Sequence, residues 1–317
     1  MKIVQLIFLT LSSLSVMAQG SFSPSAGVLG TTAIYKDSSV IIAWANGCIT
    51  QRGPQDISQV SSPLATTGDD SFATGMSGVN GVVSLGDGGS AILTFSQPII
   101  NGIGPDFAIF ENGFSNDFLE LALVEVSSDG INFFRFDAVS ETQDTTQTGS
   151  FGSTDATMLN NLAGKYRAQF GTPFDLNELS GQSGLDINQI THVKIIDVVG
   201  SVDENYASYD SFGNKINDPY PTDFASGGFD LDAVGVIHQE PVSVTESDIE
   251  FTIYPNPSNG IINIIQSGNN TFQLFNIAGE LVHASELVGD TQIDVSMYSN
   301  GVYFARIGSS TQRIVLL

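Results

Sequence analysis

The chain has one cysteine in 317 residues. No intrachain disulfide can form, so its core must hold by burial alone. Cys48 lies in WANGCIT, among apolar neighbours, and reads as a small buried hydrophobe rather than a reactive thiol. Basic residues are scarce: 10 Lys and Arg face 34 Asp and Glu, a formal charge of −24. Such a field disfavours nucleic acid and anionic lipid and suits divalent cations. The three histidines, His192, His238 and His283, stand far apart in sequence, and no Cys/His spacing for zinc exists. There is no G-x-S-x-G elbow and no HExxH. GDGGS at 86–90 lacks the Lys-Ser/Thr of a phosphate loop and reads as a hairpin turn. Heptads, long repeats and, beyond the first residues, apolar runs of membrane length are all missing.

What the chain has is Gly, Ser, Thr and Phe, with apolar residues in short runs separated by turn signals. Thr32 to Tyr35 and Val40 to Trp44 are β-rich stretches. VVSLGDGGSAILTF reads as two strands about its Gly-Asp-Gly-Gly turn, and DFAIFEN as another strand. LELALVEVSSDGINFFRFDAV is the clearest hairpin, turning at Asp129-Gly130. Glu120, Ala122, Val124 and Val126 share one face of its first strand, while Leu119, Leu121, Leu123 and Glu125 share the other. Both faces are largely apolar, which places this strand inside a sandwich rather than at an edge. Residues 141–160 read as a long surface loop, Leu159 to Gly164 as room for one helical turn, and Pro173 to Leu179 as a short helix. THVKIIDVVG and GGFDLDAVGVIH are further buried strands. The spacing predicts an all-β fold for residues 19–240, an antiparallel two-sheet β-sandwich with a jelly-roll-like course.

The two ends carry addresses. Met1-Lys2, an apolar stretch from Ile3 to Val16 and the small-residue site before Gln19 predict a signal peptide over 1–18, cut between Ala18 and Gln19. The mature chain is then expected to hold no transmembrane segment. A polar linker is expected at 241–249. Beyond it, residues 250–317 run FTIYPNPSNGIINI, FQLFNIAGELV, IDVSMYSNGVYFARI and QRIVLL. Pro255 and Pro257 stiffen a turn and cannot donate to a sheet. Ile262, Ile264, Phe272, Leu274 and Phe275 follow strand spacing, and Asn300-Gly301 signals a hairpin leading into Val302, Phe304 and Ile307. The pattern predicts a second, small Ig-like β-sandwich. These motifs, in this order, resemble the C-terminal sorting domain, type A, of proteins exported by the type IX secretion system of Gram-negative bacteria. The resemblance implies delivery to the outer-membrane surface or beyond. It also implies the secretion machinery and its sortase-like peptidase as partners.

The central blocks resemble a second family. WANGCITQRGPQDIS, GPDFAIFENGF, LAGKYRAQFGTPFDL and INDPYPTDFASGGFDLDAVGV are similar to segments of a family of bacterial cell-surface proteins. More loosely, the strand pattern resembles galactose-binding-like jelly rolls, an architecture shared by many carbohydrate-binding modules.

The residues offer three chemistries. Calcium wants six to eight oxygens from irregular loops. The stretch from Ser201 to Asp232 supplies them, with Asp210, Asp218, Asp230 and Asp232 as the expected ligands of a structural Ca²⁺. Asp230 and Asp232, two apart on a strand, are expected to point to one side. A glycan or another surface ligand is expected to meet Trp44, Glu111, Tyr209 and Tyr220, because sugar rings stack on aromatic faces; Tyr206 and Phe224 are further aromatics of the same loop. Alternatives are a polysaccharide hydrolase or lyase using Glu111, Glu120 and Glu125, or a structural or adhesive surface protein.

Overall fold

The computed structural model describes residues 20–240 and 250–317. The expected signal peptide, with its Ala18–Gln19 cut, and the expected linker lie outside the described residues. The chain divides into two compact units between Pro241 and Val242. Among the described residues no helix is long and apolar enough to cross a membrane.

The first unit contains strands β1 (Ile34–Tyr35), β2 (Ala43–Trp44), β3 (Gly47–Gln51), β4 (Val83–Ser84), β5 (Ser90–Ile99), β6 (Phe107–Glu111) and β7 (Ala122–Ser127). They are followed by β8 (Phe134–Arg135), β9 (Val139–Ser140), β10 (Leu159–Asn160), β11 (Phe170–Phe174), β12 (Ile190–Asp197) and β13 (Asp230–Val236). One antiparallel sheet has the order β1-β11-β6-β13-β2, with β4 also on β13; the other has the order β3-β5-β12-β7-β8. A small pair, β9 and β10, stands beside them. Among the described residues helical structure is limited to three single turns, Asp70–Ala73, Ala156–Met158 and Leu176–Leu179, capped by the side chains of Asp69, Asp155 and Asp175.

Alternation explains the layers. Val193 and Ile195 of β12, Ala122, Val124 and Val126 of β7, and Phe107 and Ile109 of β6 meet in one core with Leu231, Val234 and Val236 of β13. Phe107 stacks on Phe174 at 5.3 Å between centroids, and Phe136 closes on both rings. Each such ring contributes roughly 1.5–3 kcal/mol by burial. The opposite face of β7 is also buried, because Leu121 and Leu123 pack with Leu119, Leu159, Leu162 and Ile216. The interior position read from the sequence is the one observed, and β7 pairs β8 through Glu125–Arg135 and Val126–Phe134.

Four local expectations are corrected. The 86–90 segment is not a hairpin turn: β4 pairs β13 in one sheet and β5 pairs β3 and β12 in the other, so the turn carries the chain between sheets. Gly86 and Gly88 adopt positive φ there, and a Cβ on Gly86 would strike the Gly53 backbone. The helical turn placed at Leu159 to Gly164 falls earlier, at Ala156–Met158, and Leu159–Asn160 is a strand on β9. Pro173 belongs to β11, and the short helix begins only after Asp175 caps it.

The second unit has β14 (Thr252–Tyr254), β15 (Ile261–Ile265), β16 (Asn269–Asn276), β17 (Leu281–Val288), β18 (Thr291–Asp294), β19 (Gly301–Ile307) and β20 (Ser310–Leu316). They form a three-stranded sheet, β14-β15-β18, and a four-stranded one, β17-β16-β19-β20. This is an Ig-like sandwich. Its core holds Ile262, Ile264, Phe272, Leu274, Tyr303, Ala305 and Ile307. Here lies the fourth correction. Asn300-Gly301 opens β19 without a hairpin, since β18 lies in the other sheet; the hairpin turn is at Gly308, between Ile307 and Ser310.

Candidate functional site

Two features stand out in the first unit, one on its surface and one inside it.

The surface feature is built by loops. Asp210 anchors the first of them: its carboxylate accepts from the amides of Ser140 (3.0 Å), Phe212 (2.9 Å) and Asn214 (2.8 Å) and from the Asn214 side chain (2.9 Å). Burial works to raise this carboxyl, but the bonds prevail and hold it below the usual range. Asn217 stitches the 143–148 loop to the same place, accepting from Thr148 N at 2.9 Å and donating to the carbonyls of Gln143 and Thr146. Between these loops lies a polar hollow of about 550 Å³, lined in part by Glu141, Thr142, Glu204, Tyr209, Asn214 and Lys215. Two neighbouring hollows of about 290 and 370 Å³ share walls with it and with each other, through Glu141 and Thr142 and then through Ser153, Thr154 and Asp155. Through these shared residues the first hollow adjoins the second and the second adjoins the third, on a grooved polar surface.

A row of phenylalanines is carried in part by the same loops, since Asp117 and Ser153, which line the hollows, stand next to Phe118 and two residues after Phe151. Phe114 meets Phe118 at 5.1 Å between centroids, Phe118 meets Phe151 at 6.3 Å, and Phe151 meets Phe224 at 5.8 Å. The ring planes lie within 24–38° of one another. Centroids this far apart in near-parallel rings mean that the rings are offset, as steps are, and leave faces free. Phe114 is 76% exposed, Phe151 74% and Phe224 44%. Asp117 holds two of the loops together, accepting from Ser153 Oγ at 3.0 Å through its side chain and from Thr154 N at 2.7 Å through its carbonyl. Sequence reading singled out Phe224 but not Phe114 or Phe151. Their signal was available: each is a lone large aromatic in a Gly/Ser/Asn loop (ENGFSND and TGSFGST) with no apolar partner at strand spacing.

The inner feature is a cluster of acids at one end of the sandwich, all buried except the half-buried Glu120. Glu111 ends β6 in phase with Phe107 and Ile109, Asp197 ends β12 in phase with Val193 and Ile195, and Glu120 precedes β7 in phase with Ala122. Glu111 and Asp197 are buried, and Glu120 is half-buried. Asp218 arrives from the long loop and Asp230 opens β13. Asp197 accepts from Gly88 N (2.8 Å) and Phe229 N (2.6 Å), Asp218 from Leu121 N (2.9 Å), and Asp230 from Ser84 Oγ. Glu111 is 1% exposed; its Oε2 accepts from Gly113 N at 2.7 Å, while its Oε1 is buried with no hydrogen-bond partner. Burial and then the charges of Glu120 and Asp230 push the Glu111 carboxyl well up. Burial, Asp230 and Asp197 do the same to Glu120. Asp197 and Asp218 are also raised well above the usual range, by burial first and by neighbouring acids next, and burial lifts Asp230 to about 6. Arg52 is nearby and lowers Asp230, but its guanidinium donates to the carbonyls of Thr67, Gly68 and Ser84. Among the described residues none of the five acids has a salt-bridge partner.

The structure sorts the residues read from the sequence. Tyr209 lines the groove. Trp44 does not; its ring packs on Phe110 at 5.3 Å. Tyr220 is buried and donates to Asp56 at 3.0 Å. Glu111 lies in the inner cluster. Of the four aspartates expected to bind Ca²⁺, Asp218 and Asp230 join that cluster, whereas Asp210 anchors a groove loop. Asp232 accepts from Ser77 Oγ and Gly78 N. A register shift between Leu231 and Ala233 puts a bulge at Asp232, so Asp230 and Asp232 reach separate partners instead of standing as a pair. Among the described residues no three Asp, Glu, His or Cys side chains form a ready-made metal cage. Glu125 is apart from Glu111 and Glu120, paired with Arg135 (2.6 Å) and Lys194 (3.4 Å). Cys48 is half-buried against the core, and burial lifts its thiol to about 11. His192 bonds Thr191 Oγ1 at 2.8 Å and packs over Gly130, a structural placement.

Residues 252–316 match the secretion system C-terminal sorting domain. The second unit is therefore a type IX sorting domain, and the protein is secreted to the cell surface or the extracellular space. No curated protein matches the chain. Among solved structures, β-glucuronidase of Ruminococcus gnavus in complex with uronic isofagomine shares 10% identity, over 93% of this chain and 45% of that one, with a TM-score of 0.23. The BSP domain of a biofilm associated protein shares 10% identity over 72% and 48%, with a TM-score of 0.22. Parabacteroides merdae β-glucuronidase with glycerol in its active site shares 10% over 88% and 35%, with a TM-score of 0.23. This chain spans less than half the length of each, and likeness at this level fixes neither fold nor activity.

Proposed function

We propose that the first unit is a glycan-binding module that the sorting domain delivers to the cell surface. The observation that supports this reading is the exposed phenylalanine row beside a polar groove. Large aromatic faces left in water are costly unless a partner covers them. Pyranose rings are apolar on their faces and hydroxylated at their edges, so one chain can stack on the row while its hydroxyls meet Asn214, Lys215, Glu204 and Thr142. A hydrolytic role that pairs Glu111 with Glu120 is disfavoured by the burial of Glu111, which is 1% exposed and out of reach of a sugar.

The test is affinity electrophoresis of the mature chain through gels containing soluble polysaccharides, alongside a reducing-sugar assay. Wild type should be retarded by at least one polysaccharide without releasing sugar. Phe151→Ala and Phe114→Ala should each weaken retention about tenfold, the equivalent of roughly 1.4 kcal/mol. Unaltered retention in both variants would remove the phenylalanine row from the proposal, and no retention of wild type on any polymer would end it.

A further inference from the structure

Five carboxylates at one end of the sandwich have no salt-bridge partner among the described residues, and Arg52 acts on Asp230 alone from a distance. Their placement is built in. A Cβ on Gly113 would crowd Glu111 Oε2 at 2.9 Å and one on Gly228 would crowd Asp197 Oδ1 at 2.7 Å, while one on Gly200 would overlap Asp218 Oδ1. Three acids are thus packed against glycines whose lack of a side chain leaves room for the carboxylate. The second observation is Glu111 Oε1, which is buried and without a donor, while the neighbouring Glu120 is half-buried. A buried oxygen of this kind is rare in proteins and calls for a partner. Glu120 meets no donor either among the described residues; what bears on it is burial and the charge of Asp230 and Asp197.

We propose that this end of the sandwich binds a calcium ion, with Glu111 and Glu120 as its direct carboxylate ligands and Asp197, Asp218 and Asp230 as the acidic wall around it. The donor set is all oxygen, without histidine or thiol, and this selects a hard cation over zinc or copper. It is assembled from four strand ends and one loop, with the Phe118 carbonyl also bordering Gly113. Such an irregular set suits the flexible coordination of Ca²⁺ better than the strict octahedron of Mg²⁺. The carboxylates do not already converge on one point; like charges keep apart until a cation lies between them. The ion would join the ends of β6 and β12 to the starts of β7 and β13, and so tie the two sheets to each other. The site differs from one on the long loop alone, since Asp210 and Asp232 are already satisfied by donors of their own. It does not depend on the glycan reading.

The test uses the mature chain stripped with chelator, with calcium chloride as the only probe, followed by calorimetric titration and thermal melting. The expected result is one Ca²⁺ per chain and a rise in Tm of roughly 5–10 °C at a hundredfold excess over Kd. Glu111→Gln and Glu120→Gln keep side-chain volume and remove repulsion, so both should fold; each should weaken calcium at least tenfold. Asp232→Asn should leave the calcium response unchanged. Three results would overturn the proposal: no heat and no Tm shift with millimolar calcium, a response kept in Glu120→Gln but lost in Asp232→Asn, or a Tm that rises on acidification while ignoring calcium. The last would mean that shared protons, not a metal, neutralise the cluster.

Discussion

Replacing Asp210 by alanine removes the anchor of the groove without touching the phenylalanine row. The carboxylate accepts four hydrogen bonds, three of them from backbone amides on two loops. Bonds to a charged group contribute about 1.5–3 kcal/mol each when their donors would otherwise stay dry. Here the groove is open and water can reach the freed amides, so the net loss should be about 2–4 kcal/mol. For a unit of this size that is a fall in Tm of roughly 5–15 °C. The folded Asp210 carboxyl lies below its ordinary value. Its contribution is therefore fully present above the unfolded aspartate range and is lost as pH falls through the folded value. Trp44, the one tryptophan of the chain, lies in β2 of the first unit, so its fluorescence during urea unfolding reports that unit alone. Polysaccharide retention should weaken together with stability, because Tyr209 and Asn214 lose their fixed position. The stability difference should be the same with chelator and with calcium. A difference under about 0.5 kcal/mol would refute the anchoring argument. A difference that disappears in chelator would show that Asp210 works through a metal instead.

Deleting residues 250–317 should leave the Trp44 unfolding transition in place and abolish delivery to the surface in a host with a type IX system; surface labelling of the truncated protein at normal levels would count against the export reading. A second prediction concerns Asp87, whose carboxyl is raised to about 6 by burial, then adjusted by its bonds with Ile57 and Thr222 and by the charges of Asp56 and Asp223. A folded value above the unfolded one means that stability is fullest below the unfolded value and is lost as pH rises through the folded one. In chelator, Asp87 alone should remove about 3 kcal/mol between roughly pH 4 and pH 6. Urea midpoints measured across that window should fall with rising pH, and Asp87→Asn should flatten the slope.

The fold was legible where a long period spoke. β7 alternates two apolar faces over LELALVEVS, and both faces are buried against different clusters. Its turn chemistry was equally plain: Asp129 accepts from the amides of Ile131 and Asn132, and Gly130 takes positive φ. The sheet-to-sheet crossing at Gly86 was not legible, because β4 is only two residues long and so short a run has no period to read. The bulge at Asp232 was hidden for a similar reason: the register of β13 is set by β6, over a hundred residues away. The acid cluster was half visible. Glu120 already stood in phase with Ala122, Val124 and Val126. What sequence could not show is that Glu111 and Asp197 end their own strands in the same phase at the same end. The groove was visible only as a polar loop with tyrosines, since loops have no periodicity from which distances can be inferred.

The two units finish their sheets differently. In the first, the outermost strands β1, β2 and β8 have two residues each, and β3 has five. Edges so short offer almost no backbone for a neighbour to pair with. In the second, the four-stranded sheet ends in β17 and β20, of eight and seven residues, and LVHASELV of β17 contains neither lysine nor proline to blunt it. A protein delivered to the cell surface beside its own copies is thus protected from strand-to-strand polymerisation over its first unit. The tail keeps long open borders that an added strand can extend. Removing the tail after transit would then do more than release a used label: it would take away the part of the chain most able to seed a fibre.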